Sequence, residues 1–456
     1  MRMLRTCTLA VCIAAALATS GRAETKGSLV IGGGAIRFDD PQVWSQIVEL
    51  AGGRGAKIAI FPTASGNPRL VGDRMIETFK RAGGDAFLVP VAMKNIDVDY
   101  HRVIVDPEWI ERVRNAGGVY FTGGEQDRIV RALRTAEGQN APLLDAVWEV
   151  YRRGGVVAGS SAGAAVMSRV MYRDAEFVLP TLQHGVSMGK EIGPGLGFIG
   201  NSWFVEQHCL TRGRFARALV VMHSQGFKYG IGVDENTALV IRGGKELKVI
   251  GYKGAVVLDL SQASRDPAVK AFNVKNVRLT YLDRGDKVDL ETLAVTPSPE
   301  KEDGIVLDPE SPDFHPFYDR TLFTNDVLGN TTLIDILTKL MDNKQTEAIG
   351  LAFDGFFAKT QAAQGFEFRF YRAKDSRGWL TEAFGGEDYT VSNIHLDIRP
   401  IDVVASFYKP VDRQPSPAVQ EVQTAVQEVQ TDDQLARAAN AAEATRAATA
   451  VKAEGK

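Results

Sequence analysis

Short apolar runs alternate with segments of helical periodicity between residue 28 and about residue 260. Apolar runs of this length predict buried strands, and apolar residues spaced three to four positions apart predict helices. The predicted strands cover residues 28–31, 57–61, 87–91, 118–121, 155–158 and 237–241. The predicted helices cover residues 41–51, 69–82, 107–116, 127–133 and 141–153. The pattern predicts an α/β fold, a parallel sheet with helices on both faces and a site beyond the carboxyl ends of its strands.

The alternation stops after about Ser261, where the connections become long and rich in Pro, Asp and Gly. We expect an α+β extension, with strands over 277–281, 366–371 and 394–398 and a helix over 333–341. We therefore divide the chain into a catalytic domain over 27–290, an α+β extension over 291–410 and a linker with an Ala/Gln-rich tail over 411–456. The tail repeats AVQEVQT over 418–431, which is too short a heptad pattern to bury much surface.

The first residues have the pattern of a cleaved signal peptide. Arg2 and Arg5 precede an apolar stretch over 8–18 that is too short to span a bilayer, and small residues follow at 21–23. A buried first helix is the alternative. The pattern predicts a signal peptide over 1–23 and a secreted or periplasmic protein.

Composition narrows the class of protein. The formal net charge is −3, so the chain has no overall positive charge that would indicate nucleic-acid binding. No later stretch approaches the ~20 apolar residues of a membrane span, so no membrane contact is expected after cleavage. Cys7 and Cys12 lie in the leader, which leaves Cys209 alone. A single thiol excludes an internal disulfide and a cysteine-based zinc cluster.

The strongest chemical motif follows the apolar run over 155–158. Gly159-Ser-Ser161-Ala-Gly-Ala164 is a G-x-S-x-G sequence between a predicted strand and a predicted helix. In this context the serine stands on a sharp turn and is a candidate nucleophile. The amide of Ala162 is a candidate oxyanion donor. The plain alternative is a Ser/Gly-rich turn before a helix.

A nucleophilic serine needs a base, and the chain has six histidines. His208 ranks first because it ends an apolar, strand-like run, whereas His223 falls within an apolar helix and has the pattern of a structural histidine. Arg212, Arg214 and Arg217 follow His208 at a predicted helix start, where positive charge opposes the helix dipole. Such a cluster fits either an acidic ligand or a solvated face.

Paired glycines follow another predicted strand, over 118–121. In Thr122-Gly-Gly124-Glu-Gln126 they let backbone amides approach a substrate oxygen, so Gly124 is the second candidate oxyanion donor. The turn over 32–34 is similar. It lacks both G-x-G-x-x-G and a P-loop lysine, so the sequence predicts no nucleotide site.

Taken together, these motifs resemble those of cyanophycinases. The residues that carry the resemblance are the serine elbow, Phe121-Thr-Gly-Gly-Glu-Gln126 and Glu206-Gln-His208 with the three arginines. Cyanophycinases are serine exopeptidases that cut cyanophycin, a polymer of β-linked Asp-Arg units, and they are relatives of the aspartyl dipeptidase called peptidase E. The likeness covers roughly residues 28–290, including 230–238 and 282–286.

The resemblance implies a flavodoxin-like fold, close to that of class I glutamine amidotransferases. It also implies that Ser161 is the nucleophile and His208 the base. The third member in the family is an acid about fifteen places after the serine, which Glu176 fits. Asp174 is a near alternative, and Glu235 takes the role if the alignment shifts.

The resemblance further implies the residues that hold the substrate. These are Gln126, Gln207, Arg212, Arg214 and Arg217. Arginines suit the carboxylates of a β-Asp-Arg polymer, and Glu125 or Asp127 could accept its guanidinium groups. Val130 departs from the family, whose binding loop carries a hydroxyl there. No metal, nucleotide or other cofactor is implied, and the leader points to the extracellular type.

Two other functions remain open at this stage. The first is an exported aspartyl dipeptidase-like peptidase, which the arginine cluster disfavours. The second is a non-catalytic binding protein on the same fold, which an intact set of serine, histidine and acid disfavours. The oligomeric state is also open, with a homodimer as one option.

Overall fold

The structure, a computed structural model, describes residues 27–94, 97–354 and 363–404, together with Gln434 and Arg437. The predicted signal peptide over 1–23 and all but those two residues of the predicted linker and tail lie outside the described residues, and both stay predictions. Within the described residues, no helix is long and apolar enough to cross a membrane.

The described residues form strands and helices in the following order. The strands are β1 (Ser28–Gly32), β2 (Lys57–Phe61), β3 (Asp85–Leu88), β4 (Gly118–Phe121), β5 (Val156–Ser160), β6 (Val170–Tyr172), β7 (Ile192–Pro194), β8 (Trp203–Gln207), β9 (Tyr229–Val233), β10 (Thr237–Arg242), β11 (Glu246–Gly251), β12 (Ala255–Asp259), β13 (Val274–Leu282), β14 (Lys287–Asp289), β15 (Val295–Thr296), β16 (Ile305–Leu307), β17 (Leu322–Thr324), β18 (Glu347–Ala352), β19 (Ala363–Thr381) and β20 (Asp388–Val403). The helices are α1 (Pro41–Leu50), α2 (Pro68–Arg81), α3 (Tyr100–Val103), α4 (Pro107–Arg114), α5 (Gln126–Leu133), α6 (Pro142–Arg152), α7 (Ala162–Ala165), α8 (Val178–His184), α9 (Phe215–Gln225), α10 (Pro299–Glu302) and α11 (Thr332–Met341).

The first sheet has the order β15-β14-β11-β10-β1-β5-β4-β2-β3. Strands β1 to β5 are mutually parallel, which confirms the predicted α/β fold. Successive residues of β1 face opposite sides. Leu29 and Ile31 pack with α5 and α6, whereas Val30 packs with α1 and α2. Helices therefore cover both faces of the parallel part, as the continuous apolar runs predicted.

One predicted parallel strand is antiparallel. Strand β10 pairs with β1 from Ser28↔Arg242 to Gly32↔Ala238 in opposite directions. The chain reaches β10 through a short turn after β9, without a crossover helix, and continues into the β10–β11 hairpin. Gly243 and Gly244 make that hairpin turn with φ of 57° and 70°. Two glycines between apolar runs are a hairpin signal that periodicity alone does not register.

A second sheet has the order β17-β18-β19-β20-β13-β12-β9-β8, and β16 pairs with β19. The strands predicted after residue 290 therefore continue a sheet that begins with β8 and β9, and α11 packs on it. A buried ion pair also crosses residue 290, because Lys301 Nζ lies 3.1 and 3.0 Å from the two oxygens of Asp286. Both side chains are fully buried. The domain boundary at 290 stays a prediction.

Candidate active site

Ser161 lies at the sharp turn between β5 and α7. Its φ of 56° and ψ of −111° are values that side-chain-bearing residues rarely adopt, a strain of order 1–3 kcal/mol that the surroundings must hold. The amide of Ser161 donates to Gly32 O at 2.9 Å. A Cβ at Gly159 would lie 2.6 Å from Gly163 C, and one at Gly163 would lie 2.9 Å from Phe121 C. Close packing therefore explains both glycines of the elbow.

His208 follows the end of β8 and faces Ser161. Ser161 Oγ lies 2.9 Å from His208 Nε2, and His208 Nδ1 lies 2.7 Å from Glu235 Oε1. A carboxylate can only accept, so Nδ1 carries the proton and Nε2 accepts from the serine hydroxyl. The structure thus brings together the serine and histidine that the sequence selected. Their roles as nucleophile and base stay predictions.

The prediction of Glu176 as the third member is wrong, because Glu235 occupies the position beside His208 Nδ1. Strands β8 and β9 are parallel, with Gln207 opposite Val233, so the residues that follow the two strands emerge side by side. Glu176 instead follows β6, which belongs to a separate two-stranded sheet. Its backbone carbonyl accepts from Arg217 Nη1 at 2.7 Å. The alternative Asp174 accepts from the neighbouring amide of Ala175.

The surroundings of His208 favour its neutral form. Burial lowers the pKa of the ring from its ordinary value, and the positive charges of Arg212 and Arg214 lower it further. The hydrogen bond to Glu235 acts in the opposite direction and raises the pKa, but burial outweighs it. A neutral imidazole is the form that can accept a proton from Ser161.

We expect kcat/KM to decrease towards low pH, and the midpoint of this acid limb should lie below pH 6.5, the ordinary histidine pKa. The reason is that kcat/KM reports the free enzyme, in which His208 must be neutral to act as a base. Arg212→Gln removes a charge that lowers this pKa, so the limb should move to higher pH. Arg102→Gln, at an exposed arginine of α3, should leave it in place. A pH–rate profile of the three proteins measures this. A limb at or above pH 6.5 in the unmodified protein would contradict the expectation.

Gly123 and Gly124 precede α5, and Ala162 directly follows Ser161 in the chain. A Cβ at Gly123 would lie 3.2 Å from Ser161 Cβ and 3.7 Å from its Oγ, so Gly123 packs directly on the serine. Gly124 has φ of 140°, and a Cβ there would lie 3.0 Å from Ser65 N. No backbone hydrogen bond found among the described residues uses the amides of these three residues. The oxyanion role of Gly124 and Ala162 stays a prediction.

Four predicted substrate residues lie near His208 or the glycine pair, in different environments. Gln126 is buried and donates to Tyr172 O at 2.9 Å. Gln207 is buried, and its Oε1 has no partner in the described part of the chain. Arg214 donates to Gln207 O at 3.1 Å, and burial lowers its pKa to about 10. Arg212 is half exposed, with Nη2 3.8 Å from Glu235 Oε1.

The prediction that Arg217 contacts substrate is wrong. Its side chain is fully buried, and its guanidinium pairs with Glu206 through two hydrogen bonds of 3.0 and 2.8 Å. It also lies over the ring of Tyr172, 4.1 Å from the centroid. All three nitrogens have partners, including the carbonyl of Glu176. Arg217 therefore joins α9 to β8, the strand that directly precedes His208.

Arg217→Met should destabilise the fold by about 3–5 kcal/mol, because it leaves the carboxylate of Glu206 buried and unpaired. Adding Glu206→Gln should recover part of that loss. Arg212→Met, at a half-exposed position, should cost less than about 1 kcal/mol. Urea unfolding with an unchanged m-value gives all four stabilities. An Arg217→Met protein as stable as the unmodified one would show that the pair is not structural.

The two carboxylates suggested for substrate guanidinium groups already have cationic partners. Glu125 forms an ion pair with Arg128. Asp127 accepts two hydrogen bonds of 3.0 Å from Arg173. Neither is an unpaired acid.

The described residues contain no group of three or more His, Cys, Asp or Glu side chains that could hold a metal ion.

Comparison with known proteins places these residues in a family. The model of peptidase family S51 matches residues 28–249. A cyanophycinase from Geminocystis herdmanii is 30% identical over 274 residues, which cover 58% of this chain and 93% of that protein. The chain belongs to peptidase family S51. The residues of this S51 peptidase that the family model matches include Ser161, His208 and Glu235.

Other similar proteins extend the comparison. A cyanophycinase from Trichormus variabilis is 28% identical over 59% of this chain and 87% of that protein. Among solved structures, a peptidase from an acI-B1 Actinobacterium has a TM-score of 0.43 and 21% identity over 59% of this chain and 98% of its own. A putative peptidase E protein from Listeria monocytogenes has a TM-score of 0.33 and 16% identity over 50% of this chain and 99% of its own.

Proposed function

We propose that this S51 peptidase is an exported serine exopeptidase that hydrolyses cyanophycin, multi-L-arginyl-poly-L-aspartate, to β-Asp-Arg dipeptides. The observation that carries the proposal is the hydrogen-bonded chain from Ser161 Oγ through the His208 ring to Glu235. A nucleophile, a base and an acid in this order activate a serine for acyl transfer without a metal or cofactor.

The proposed reaction has two halves. His208 Nε2 takes the proton of Ser161 Oγ as the oxygen attacks the substrate carbonyl, and Glu235 stabilises the imidazolium that forms. The amides of Gly124 and Ala162 bind the developing oxyanion. His208 then protonates the leaving amine, which gives an acyl-enzyme on Ser161. Water, deprotonated by His208, hydrolyses this ester and releases the free serine.

The substrate proposal rests on the relatives and on the charges near His208. The curated relatives are named cyanophycinases. A β-Asp-Arg polymer carries carboxylates, which Arg212 and Arg214 suit by charge and by the planar guanidinium. The unpaired Oε1 of buried Gln207 suits an N–H donor of the same substrate.

Arg214→Lys should raise KM for β-Asp-Arg oligomers at least about tenfold, because lysine keeps the charge but loses the two-pronged geometry. A small ester substrate, which has no carboxylate to hold, should be cut almost as fast as before. Steady-state kinetics on both substrates measure the difference. Equal losses on both would mean that Arg214 supports the fold rather than the ligand.

The deciding experiment incubates purified protein with insoluble cyanophycin, β-Asp-Arg oligomers and α-Asp-X dipeptides, with Ser161→Ala as the blank. Release of β-Asp-Arg from the polymer supports the proposal. Hydrolysis of α-Asp-X dipeptides alone would make the chain an aspartyl dipeptidase-like enzyme. Retention on the polymer without hydrolysis, and no labelling of Ser161 by a fluorophosphonate, would make it a binding protein.

Export needs a separate test. We propose cleavage after residue 23, so the mature protein recovered from the periplasm or medium should begin at Glu24 by N-terminal sequencing. Recovery of the intact chain from the cytoplasm would overturn the export proposal without affecting the peptidase proposal.

A further inference from the structure

The turn after β1 contacts Ser161, His208 and Asn236, the residue that follows Glu235. Gly32 O accepts from the amide of Ser161 at 2.9 Å, and Gly33 O accepts from the amide of His208 at 2.8 Å. Gly34 O accepts from the amide of Asn236, the residue after Glu235, at 2.8 Å. Three consecutive carbonyls thus hold three segments that are far apart in sequence.

Strand order explains why this turn is central. Strand β1 lies between β5, which ends beside Ser161, and β10, which begins just after Asn236. His208 comes from β8 in the second sheet, so its hydrogen bond to Gly33 joins the two sheets at the site.

Gly34 also sets the place of the imidazole ring. It has φ of 118°, and a Cβ built on it would overlap Cε1 and Nε2 of His208 and lie 2.8 Å from Nδ1. The ring therefore packs directly on the Gly34 backbone, which forms one wall of its pocket. A side chain at this position would push the ring away from either Ser161 or Glu235.

Asn236 fastens the turn from the other side. Its φ is 52°, a left-handed conformation that Asn tolerates better than most residues. Its Oδ1 accepts from the amide of Arg37 at 3.0 Å, and the next residue, Thr237, accepts from the amide of Gly33 at 3.0 Å. Asn236 thus ties the segment after Glu235 to the turn through its backbone, and to Arg37, three residues beyond the turn, through its side chain.

We propose that the turn over Gly32–Gly34, fastened by Asn236, is the positioning element that sets the distances among Ser161, His208 and Glu235. The inference rests on the proposed serine peptidase function. Asn236 and Gly34 are positioning residues, because neither supplies a group to the reaction and both act through the triad. Misplacing a catalytic group by about 1 Å can cost on the order of 10²-fold in rate.

The first test compares Asn236→Ala with Asn236→Asp. Alanine loses both the side-chain acceptor and the tolerance of positive φ, so kcat should fall roughly 10–10²-fold with KM within about twofold. Aspartate keeps both properties and should retain most of the activity. Equal kcat values for Asn236→Ala and the unmodified protein would overturn the proposal, as would a loss confined to KM.

The second test compares Gly34→Ala with Gly52→Ala. Gly52 has φ of 119°, and a Cβ there would meet only Ala56 Cβ at 3.9 Å, so it carries the same backbone strain without touching the site. Gly34→Ala should lower kcat on the order of 10²-fold, whereas Gly52→Ala should lower only the unfolding midpoint. Equal kcat values for the two variants would show that backbone strain, not the ring contact, is responsible.

A readout that needs no turnover separates this inference from the proposed function. The charged groups that face the His208 ring are Glu235, Arg212 and Arg214. If Asn236→Ala loosens Glu235, the only one of these that raises the ring pKa, an NMR titration should show a lower His208 pKa than in the unmodified protein. An unchanged pKa would overturn the inference even if cyanophycin is cut. A lowered pKa in a protein that cuts nothing would uphold the inference and reject the proposed function.

Discussion

Replacing Ser161 with alanine should abolish peptide hydrolysis, with a loss of roughly 10⁴–10⁶-fold in kcat. The hydroxyl is the group that attacks the substrate in the proposed mechanism, and its Oγ is the atom 2.9 Å from His208 Nε2. Alanine keeps a Cβ at φ of 56°, so the backbone strain of the elbow is unchanged. Stability and substrate binding should therefore remain near those of the unmodified protein.

The matched control is Ser160→Ala, the neighbouring serine, whose hydroxyl faces Tyr120 instead of His208. The Ser160→Ala protein should keep most of the activity. A fluorophosphonate should label the Ser160→Ala protein but not the Ser161→Ala protein. Product release is measured by chromatography and the modified residue by mass spectrometry. If the Ser161→Ala protein kept a third of the unmodified protein's kcat, the proposed serine mechanism would be wrong.

Glu235→Gln should lower turnover by about 10²–10⁴-fold, the second largest effect. Glutamine cannot stabilise the imidazolium, and its amide can donate to Nδ1, which would place the ring proton on Nε2 where it no longer accepts from Ser161. Glu176→Gln, at the residue that the family spacing favoured, should change turnover by less than about twofold, because Glu235 and not Glu176 lies beside His208 Nδ1.

These two variants are compared on the same small ester and peptide substrates, with circular dichroism to confirm folding. A large loss in Glu176→Gln with little loss in Glu235→Gln would reverse the assignment made from the structure. Losses of similar size in both would mean that each acid contributes, and Glu235 would not be the sole partner of His208.

The elbow was predictable from sequence because its determinants are local. The strand over 156–160, the two glycines and the serine lie within a few residues of one another, and sterics alone dictate their order. The glycine pair after β4 was predictable for the same reason. Helix bounds also agreed closely, as in α1 and α2, since proline and asparagine or aspartate mark their starts.

The third acid and the role of Arg217 were not predictable in this way. Glu235 reaches His208 only because β8 and β9 pair in parallel with Gln207 opposite Val233, a register that no local pattern encodes. Arg217 belongs to a run of three arginines, and the run does not show which of them faces inward. Its partner Glu206 lies on a neighbouring strand, so only tertiary packing separates it from Arg212.

The ion pair between Asp286 and Lys301 bears on how this protein can be divided. The family match ends at residue 249, inside β11, yet β13 pairs along its length with β20, from Val274↔Ile398 to Tyr281↔Val391. A fragment that stopped at 290 would expose the edge of β13 to self-association and leave Asp286 without its buried cation. For chimaeras between S51 peptidases, the exchangeable module is thus the complete second sheet through residue 403, and homology boundaries are the wrong places to cut.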